Sequence, residues 1–394
     1  MPRHDLAGTT SESSHRFRTL RTGLAVAIAA FGLAASTSFV SAGASTTNVS
    51  KGVAEAESAV KSASASPAFW APPSFTVAHA KGKTVWWIAD ESSNIIVQWA
   101  DYANQAFTKE GVTVHLDDPG QTESGHIQAF QLAIAAKPAA IVLADGNPAV
   151  EFEAQIAQAK AAGIPVFSLV SHPLPKGSAP VVPGLVNDIS YSYPRVGVLL
   201  ADWFVADSKG KGDALLIDLG GIPSSEWELD GFKQEVKRLN TDVKYQEVSA
   251  PYQTEQQVIP SQVRSALLAN KNIDYVLPPF DSMALIAQPA IVQAGDASKV
   301  KTAGFNTIIP QMENLKAGNT PFAMDIGGPN NWESYAVVDD VLRYWNNQPQ
   351  IYDPQIGLKI FTHSNVQDLT VTSEDDNQWY GINYPEKYNA IWKS

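Results

Sequence analysis

The residues able to do chemistry in this chain are carboxylates and amides that stand directly after short apolar runs. "TVWWIA" (84–89) runs into "DESSN", with Asp90, Glu91 and Asn94, and "AAIVLA" (139–144) runs into "DGNP", with Asp145 and Asn147. "VLPPFD" ends on Phe280 and Asp281, "TAGFN" ends on Asn306, and "GGIPSSEWELDGF" carries Glu226 and Trp227 at a predicted helix start. Such groups accept hydrogen bonds. A bond involving a charged acceptor contributes about 1.5–3 kcal/mol, so a few of them govern the choice of a small ligand. Each also has a plain structural use: Ser92, Ser93 and Asn94 suit a helix cap, Asn147 before Pro148 suits a turn, and Glu226 suits the positive end of a helix dipole.

Covalent and metal chemistry lack their residues. The chain has no cysteine, which removes thiolate nucleophiles, disulfides and thiolate metal sites. His115, His126, His172 and His363 are scattered, and neither a G-x-S-x-G elbow nor a phosphate-cradling G-x-x-x-x-G-K-[ST] loop occurs. The expectation is a binding protein, not an enzyme, with no catalytic residues, no metal and no cofactor. Beyond residue 44 the arginines are Arg195, Arg238, Arg264 and Arg343, all within predicted helices, so a ligand carboxylate or phosphate finds no guanidinium to grip it. Acidic and amide acceptors beside Trp and Phe suit a hydroxyl-rich or cationic solute with an apolar face.

The elements that must position these residues alternate along the chain. "TVWWIA", "VTVHL" (112–116), "AAIVLA" and "IPVFSLV" (164–170) read as strands, and the segments between them read as amphipathic helices. Gly163 stops a helix and Pro165 opens the next strand. After a stretch without clear periodicity (181–191) the pattern runs again through "DALLIDL", "VKYQEV", "IDYVLP" and "VKTAGF", with Pro289 predicting a kink in the helix near 282–294. Near-continuous apolar strands separated by helices predict an α/β fold of two Rossmann-like lobes, their parallel sheets flanked by helices. In such sheets ligands collect beyond the carboxyl ends of the strands, where the polar residues named above fall.

A chain of 394 residues that is 44% hydrophobic can build cores for two domains. Its formal net charge of −12 argues against a nucleic-acid partner, which needs clustered Lys and Arg. Arg16, Arg18 and Arg21 precede the apolar run "GLAVAIAAFGLAAS" and the small residues Ala42 to Ala44, the layout of an export signal over 1–44. The alternative, a retained anchor, asks for about 20 apolar residues, and this run is shorter. Loss of that segment leaves 24 basic against 38 acidic groups, a balance of −14. Residues 45–80, rich in Ala, Ser and Pro, read as a flexible linker with one short helix in "KGVAEAESAVKSA".

The segments "AAIVLADGNPAVEFEAQIAQAKAAGIPVFSLV", "PPFDSMALIAQPAIVQAG", "VKTAGFNTIIPQMENLKAG" and "NNWESYAVVDDVLRYWNNQPQIYDPQIGLKIF", in this order and spacing, resemble the type I periplasmic solute-binding proteins of ABC importers, the ribose- and galactose-binding group. The resemblance spans about 82–363. It implies two lobes joined by a three-segment hinge, with crossovers near Val186–Ser190, Asp325–Gly328 and Gln348–Asp353, and a solute held between the lobes. The lobes are then 81–187 with 327–350, and 188–326 with 351–364, while 365–394 forms an aromatic-rich extension packing on them. Asp325 falls at the middle crossover, and Trp332 at the helix start after it. Ser171 and His172 stand where sugar-binding relatives carry an Asp-Arg pair, which this chain lacks, and Glu226 and Trp227 stand where relatives often have an Arg.

The expectation is an extracytoplasmic monomer that closes over a neutral sugar or polyol and delivers it to an ABC permease. An aromatic or other non-sugar solute fits the same transport role, and a sensory module presenting the closed pair to a membrane receptor uses the same lobes. For the extension, a strap over the lobe seam and a docking surface for a membrane partner are both open.

Overall fold

The computed structural model describes residues 46–90, 94–170, 182–373 and 375–393, with the backbone alone for Thr46, Thr47 and Asn94. The export segment 1–44, Glu91 and His172 lie outside the described residues. Everything below concerns the unit Gly43–Ser394.

The chain opens with α1 (Thr46–Ala63) and a two-residue strand β1 (Phe75–Thr76), and then enters the predicted alternation. The first sheet is built from β2 (Thr84–Ile88), α2 (Asn94–Lys109), β3 (Thr113–Asp117), α3 (Glu123–Ala136), β4 (Ala140–Leu143), α4 (Glu153–Ala161), β5 (Val166–Leu169) and β6 (Leu185–Ile189). Its order is β3-β2-β4-β5-β6, and every pairing is parallel. Strand β4 is buried at all four positions, because α3 and α4 cover one face of the sheet while α2 covers the other. Two local signals set the ends: the Thr122 hydroxyl accepts from the Gly125 amide to cap α3, and Gly163, at φ 75°, follows α4.

The second sheet follows with α5 (Tyr193–Asp207), β7 (Asp213–Gly220), α6 (Pro223–Leu239), β8 (Lys244–Pro251), α7 (Glu255–Ala269), β9 (Tyr275–Leu277), α8 (Asp281–Gln293), β10 (Lys301–Phe305), α9 (Ile309–Ala317) and β11 (Phe322–Gly327). The chain then runs through α10 (Asn330–Trp345) to β12 (Lys359–Thr362). The order is β12-β11-β10-β9-β7-β8; β12 is antiparallel to β11, so this sheet is not purely parallel. Helices α5 and α6 pack closely because a Cβ on Gly197 would lie 1.8 Å from the Glu228 carbonyl, and one on Gly231 would lie 2.1 Å from the Pro194 carbonyl. Pro289 sits inside α8, and Pro260 sits inside α7.

Helix α10 packs on α2, β5 and β6 of the first sheet, although β11 before it and β12 after it belong to the second. The chain therefore passes between the sheets at 189–193, 327–330 and 345–359. The stretch 181–191 conceals β6, whose Asn187 and Asp188 are buried. Asn187 donates to the Asp340 carboxylate and to the Ile351 carbonyl, and Ser168 donates to one oxygen of Asp188, so these buried polar residues have partners in the core.

Segment 65–80 is not a flexible linker. Phe69 packs on Trp332, with ring centroids 5.1 Å apart, and edge-on against two tyrosines of the C-terminal tail. The Pro73 carbonyl accepts from Arg343, whose guanidinium lies over the Phe75 ring, and Asn346 receives the Ala78 and His79 amides. Isolated aromatic anchors, with backbone hydrogen bonds, hold a composition that otherwise reads as loose chain. Helix α1 lies on α5 and α6 through Val53, Ala56 and Val60.

The tail forms α11 (Asp376–Tyr380), α12 (Tyr384–Ile391) and β13 (Trp392–Lys393), and β13 pairs in parallel with β1. Its aromatic residues Trp379, Tyr380, Tyr384, Tyr388 and Trp392 are all buried. It is a packed strap: α12 lies on α10, Tyr380 meets Phe361 of β12 edge to face, and the Asp376 carboxylate accepts from the Asn331 amide at the N-terminus of α10.

Candidate functional site

Both sheets wind alike: the chain starts on one strand, adds the next on one side, then returns to build outward on the other. The order reverses between β2 and β4 in the first sheet, and between β7 and β9 in the second. Loops that diverge at such a reversal leave a crevice beyond the strand ends. Asp90 follows β2, Asp145 and Asn147 follow β4, Glu226 and Trp227 follow β7, and Phe280 with Asp281 follows β9.

In the first sheet the structure brings Asp90, Asp145 and Asn147 together around His126 of α3. The His126 Nε2 lies 2.6 Å from an Asp145 oxygen, with the two side chains 2% and 0% exposed. The Asp145 carboxylate also accepts from the Asn147 backbone at 3.2 Å, from the Asn147 side chain at 3.0 Å and from the Asp90 backbone at 3.4 Å. Burial opposes charge on the imidazole. The Asp145 carboxylate, the Thr122 carbonyl and Asp90 outweigh it and hold the ring above the usual histidine range. Asp145 is thus engaged by the protein itself. The Asn94 side chain lies outside the described atoms.

In the second sheet Phe280, Asp281, Asn306 and Asp325 meet at the strand ends. Asp281 is buried and accepts from the Ile308 amide at 3.0 Å, and it lies over Gly304, where a Cβ would stand 2.1 Å from its oxygen. Gly304 pairs with Asp325 of β11, so the two carboxyl groups share one buried space. Burial raises both, and the charge of Asp281 deepens the shift of Asp325, while a hydrogen bond with Asp325 works against the shift of Asp281. Asn306 and Thr307 end β10 with φ of 129° and 56°. Strained backbone of this kind costs on the order of 1–3 kcal/mol per residue and gathers where a protein needs a fixed loop geometry. Val170, β-branched at φ 62°, ends β5 in the same way.

Two candidates stand apart. Glu226 is exposed in the first turn of α6, where it complements the helix dipole. Trp332 is fully buried beneath the tail, stacked on Tyr384 at 5.4 Å and against Phe69, so it serves the core of the strap. Trp227 is half-buried, 6.3 Å from Tyr193.

Sequence reasoning missed His126, Tyr191, Tyr193 and Glu333. Tyr191 and Tyr193 lie on the first passage between the sheets and meet Phe305 edge to face, and Tyr193 meets Phe280 likewise. The Tyr191 hydroxyl donates to Asn330, which in turn donates to Gln98 of α2. Glu333 is buried in the first turn of α10; burial pushes it well up, with Tyr191, Asp188 and Trp99 as polar neighbours. The repeated aromatic in "SYSYP" was the available signal.

The arrangement offers acceptors and aromatic rings. Among the described residues no group of carboxylates and histidines could hold a metal ion. Of the four arginines among the described residues, three are engaged elsewhere: Arg238 with Glu235 and Glu55, Arg264 with Gln293, and Arg343 with Asp339. Arg195 is exposed beside a cavity of about 290 Å³ where α1 meets α5.

None of the curated proteins matches the chain in sequence. Solved structures resemble it in fold. A periplasmic solute-binding protein of an ABC transporter from Actinobacillus succinogenes, with bound D-allose, is 20% identical with a TM-score of 0.64, covering 73% of this chain and 100% of its own. An ABC transporter solute-binding protein from Agrobacterium vitis, with bound allitol, is 20% identical with a TM-score of 0.63, covering 74% and 98%. A Caulobacter myo-inositol-binding protein bound to myo-inositol is 18% identical with a TM-score of 0.61, covering 74% and 96%. The family model of the periplasmic binding protein domain matches residues 84–349, about two thirds of the chain. The chain belongs to the periplasmic binding protein domain family.

Proposed function

We propose that this protein is an exported solute receptor that captures a small neutral sugar or polyol between its two sheets and delivers it to an ABC importer. The observation that carries the reading is that acceptors lie at the order reversal of both sheets, with aromatic rings beside them at the second. Hydroxyl groups donate to such acceptors, and the apolar face of a sugar ring lies against such rings. Asp90 and Asn147 would act from the first sheet, with Phe280, Asn306 and Trp227 from the second. Asp145, Asp281 and Asp325 would hold the walls from behind. The relatives with bound D-allose, allitol and myo-inositol support the solute class by analogy of fold.

Export by residues 1–44 and a monomeric state belong to the same proposal, and among the described residues no helix is long and apolar enough to cross a membrane. The test is a thermal-shift screen against sugars, polyols, aromatic acids and amines. A ligand at about 100 times its Kd stabilises by about 2.7 kcal/mol. A shift with sugars or polyols is expected, and a shift with amines or carboxylates alone overturns the reading.

A further inference from the structure

We propose that His126 is a positioning residue for solute capture: through Asp145 it fixes the strand-end wall of the first sheet, so binding follows the protonation of its ring. The proposal rests on the solute-binding reading above and adds a regulation to that site.

The geometry is closed on every side. The His126 Nδ1 lies 2.9 Å from the Thr122 carbonyl and the Nε2 lies 2.6 Å from the Asp145 carboxylate. The Thr122 carbonyl and the Asp145 carboxylate both accept and favour a hydrogen on each ring nitrogen, while the Asn147 amide nitrogen also faces Nε2 at 3.2 Å. Phe152 stacks on it at 5.4 Å with planes 21° apart. The residue is 1% exposed, so water does not replace a lost partner.

What the ion pair holds is the wall itself. One Asp145 carboxylate gathers the amides of Asn147, after β4, and of Asp90, after β2, and these two strands flank the order reversal. Loss of the proton takes the ring N–H away from Asp145 and leaves Nε2 to accept from the Asn147 amide instead. The carboxylate is then buried without its counter-ion, and the two turns are released from one another. The charged groups around the ring are Asp145 and Asp90 from the strand ends, with Glu151 from the turn carrying Phe152 and Glu123 from α3 beyond it. All are acidic and favour the cation against the opposing burial, so deprotonation is displaced above the usual histidine range.

The test follows wild type and His126→Gln, which keeps a donor but does not titrate, from about pH 6 to about pH 10. Imidazole nitrogen shifts report the ring, hydrogen-exchange protection factors report residues 86–90 and 144–148 without ligand, and calorimetry reports the Kd of the sugar or polyol giving the largest thermal shift. In wild type, protection of both turns is expected to fall as His126 loses its proton, with the Kd weakening about tenfold over the same range. The variant is expected to be weaker at low pH and flat. Turn protection that ignores the His126 titration overturns the proposal whatever binds, and so does a Kd that stays constant across it. If no sugar or polyol binds while turn protection still follows the titration, the solute reading fails and the positioning of the turns stands. The wild-type series decides alone if the variant does not fold.

Discussion

Gln121 and Tyr252 meet across the two sheets: the Gln121 amide nitrogen donates to the Tyr252 hydroxyl at 3.2 Å. Gln121 lies after β3 and Tyr252 after β8, the edge strands on the same side of each reversal. On the proposed function this pair latches the closed form. A neutral exposed bond contributes about 0.5–1 kcal/mol, so Tyr252→Phe is expected to weaken solute binding about two- to fivefold with unchanged melting of the ligand-free protein. Calorimetry with small-angle scattering measures both; an unchanged Kd removes the latch.

Trp332 carries the strap. Its ring lies between Phe69 and Tyr384, joining a segment that precedes the first sheet to one that follows the second. Trp332→Ala is expected to cost about 3–5 kcal/mol in urea unfolding. Because the variant loosens residues 65–80 and 375–393 together, limited proteolysis should cut both at similar rates.

The Asp281 and Asp325 pair sets a pH dependence. Burial raises Asp281 from 3.8 to about 7 and Asp325 well above 3.8, so the folded state holds more protons than the unfolded one above pH 3.8. Stability from this pair is therefore full below that pH and is lost progressively as pH rises through about 7. Asp325→Asn, which keeps the shape and cannot ionise, is expected to raise stability at pH 8. The gain shrinks towards pH 4. Chemical denaturation across that range measures it, and an equal effect at both ends would remove the pair as the cause.

Arg343 is a buried cation tying three segments. It pairs with Asp339 at 2.6 Å, donates to the Pro73 carbonyl and covers Phe75, while Trp392 donates to the other Asp339 oxygen. Arg343→Met leaves Asp339 buried without its cation and is expected to cost about 3–5 kcal/mol. Adding Asp339→Leu should recover part of the loss, which denaturant melts of the two variants will compare.

The alternation of strands and helices was legible because buried parallel strands such as Ala140–Leu143 leave no room for polar residues. Strand β6 escaped because Asn187 and Asp188 break its apolar run, and the Asp340 partner of Asn187 lies 153 positions off in sequence. The segment around Phe69 and Phe75 escaped for the same reason: two aromatic rings without periodicity show nothing until residues some 260 or more positions away close over them. At the site, sequence placed the acceptors beyond the strands. It could not show that His126 takes up Asp145, or that Trp332 faces the tail, since both depend on which neighbour a helix face meets.

The parallel pairing of Phe75 with Trp392 and of Thr76 with Lys393 has a consequence for synthesis. Trp392 stacks on Tyr335 with planes 7° apart, so part of the aromatic face of α10 is uncovered until Trp392 has been made. A ribosome-bound chain can complete its early domain packing as it emerges. Here the packing of α10 waits for Trp392, made some 57 positions after the Tyr335 it covers.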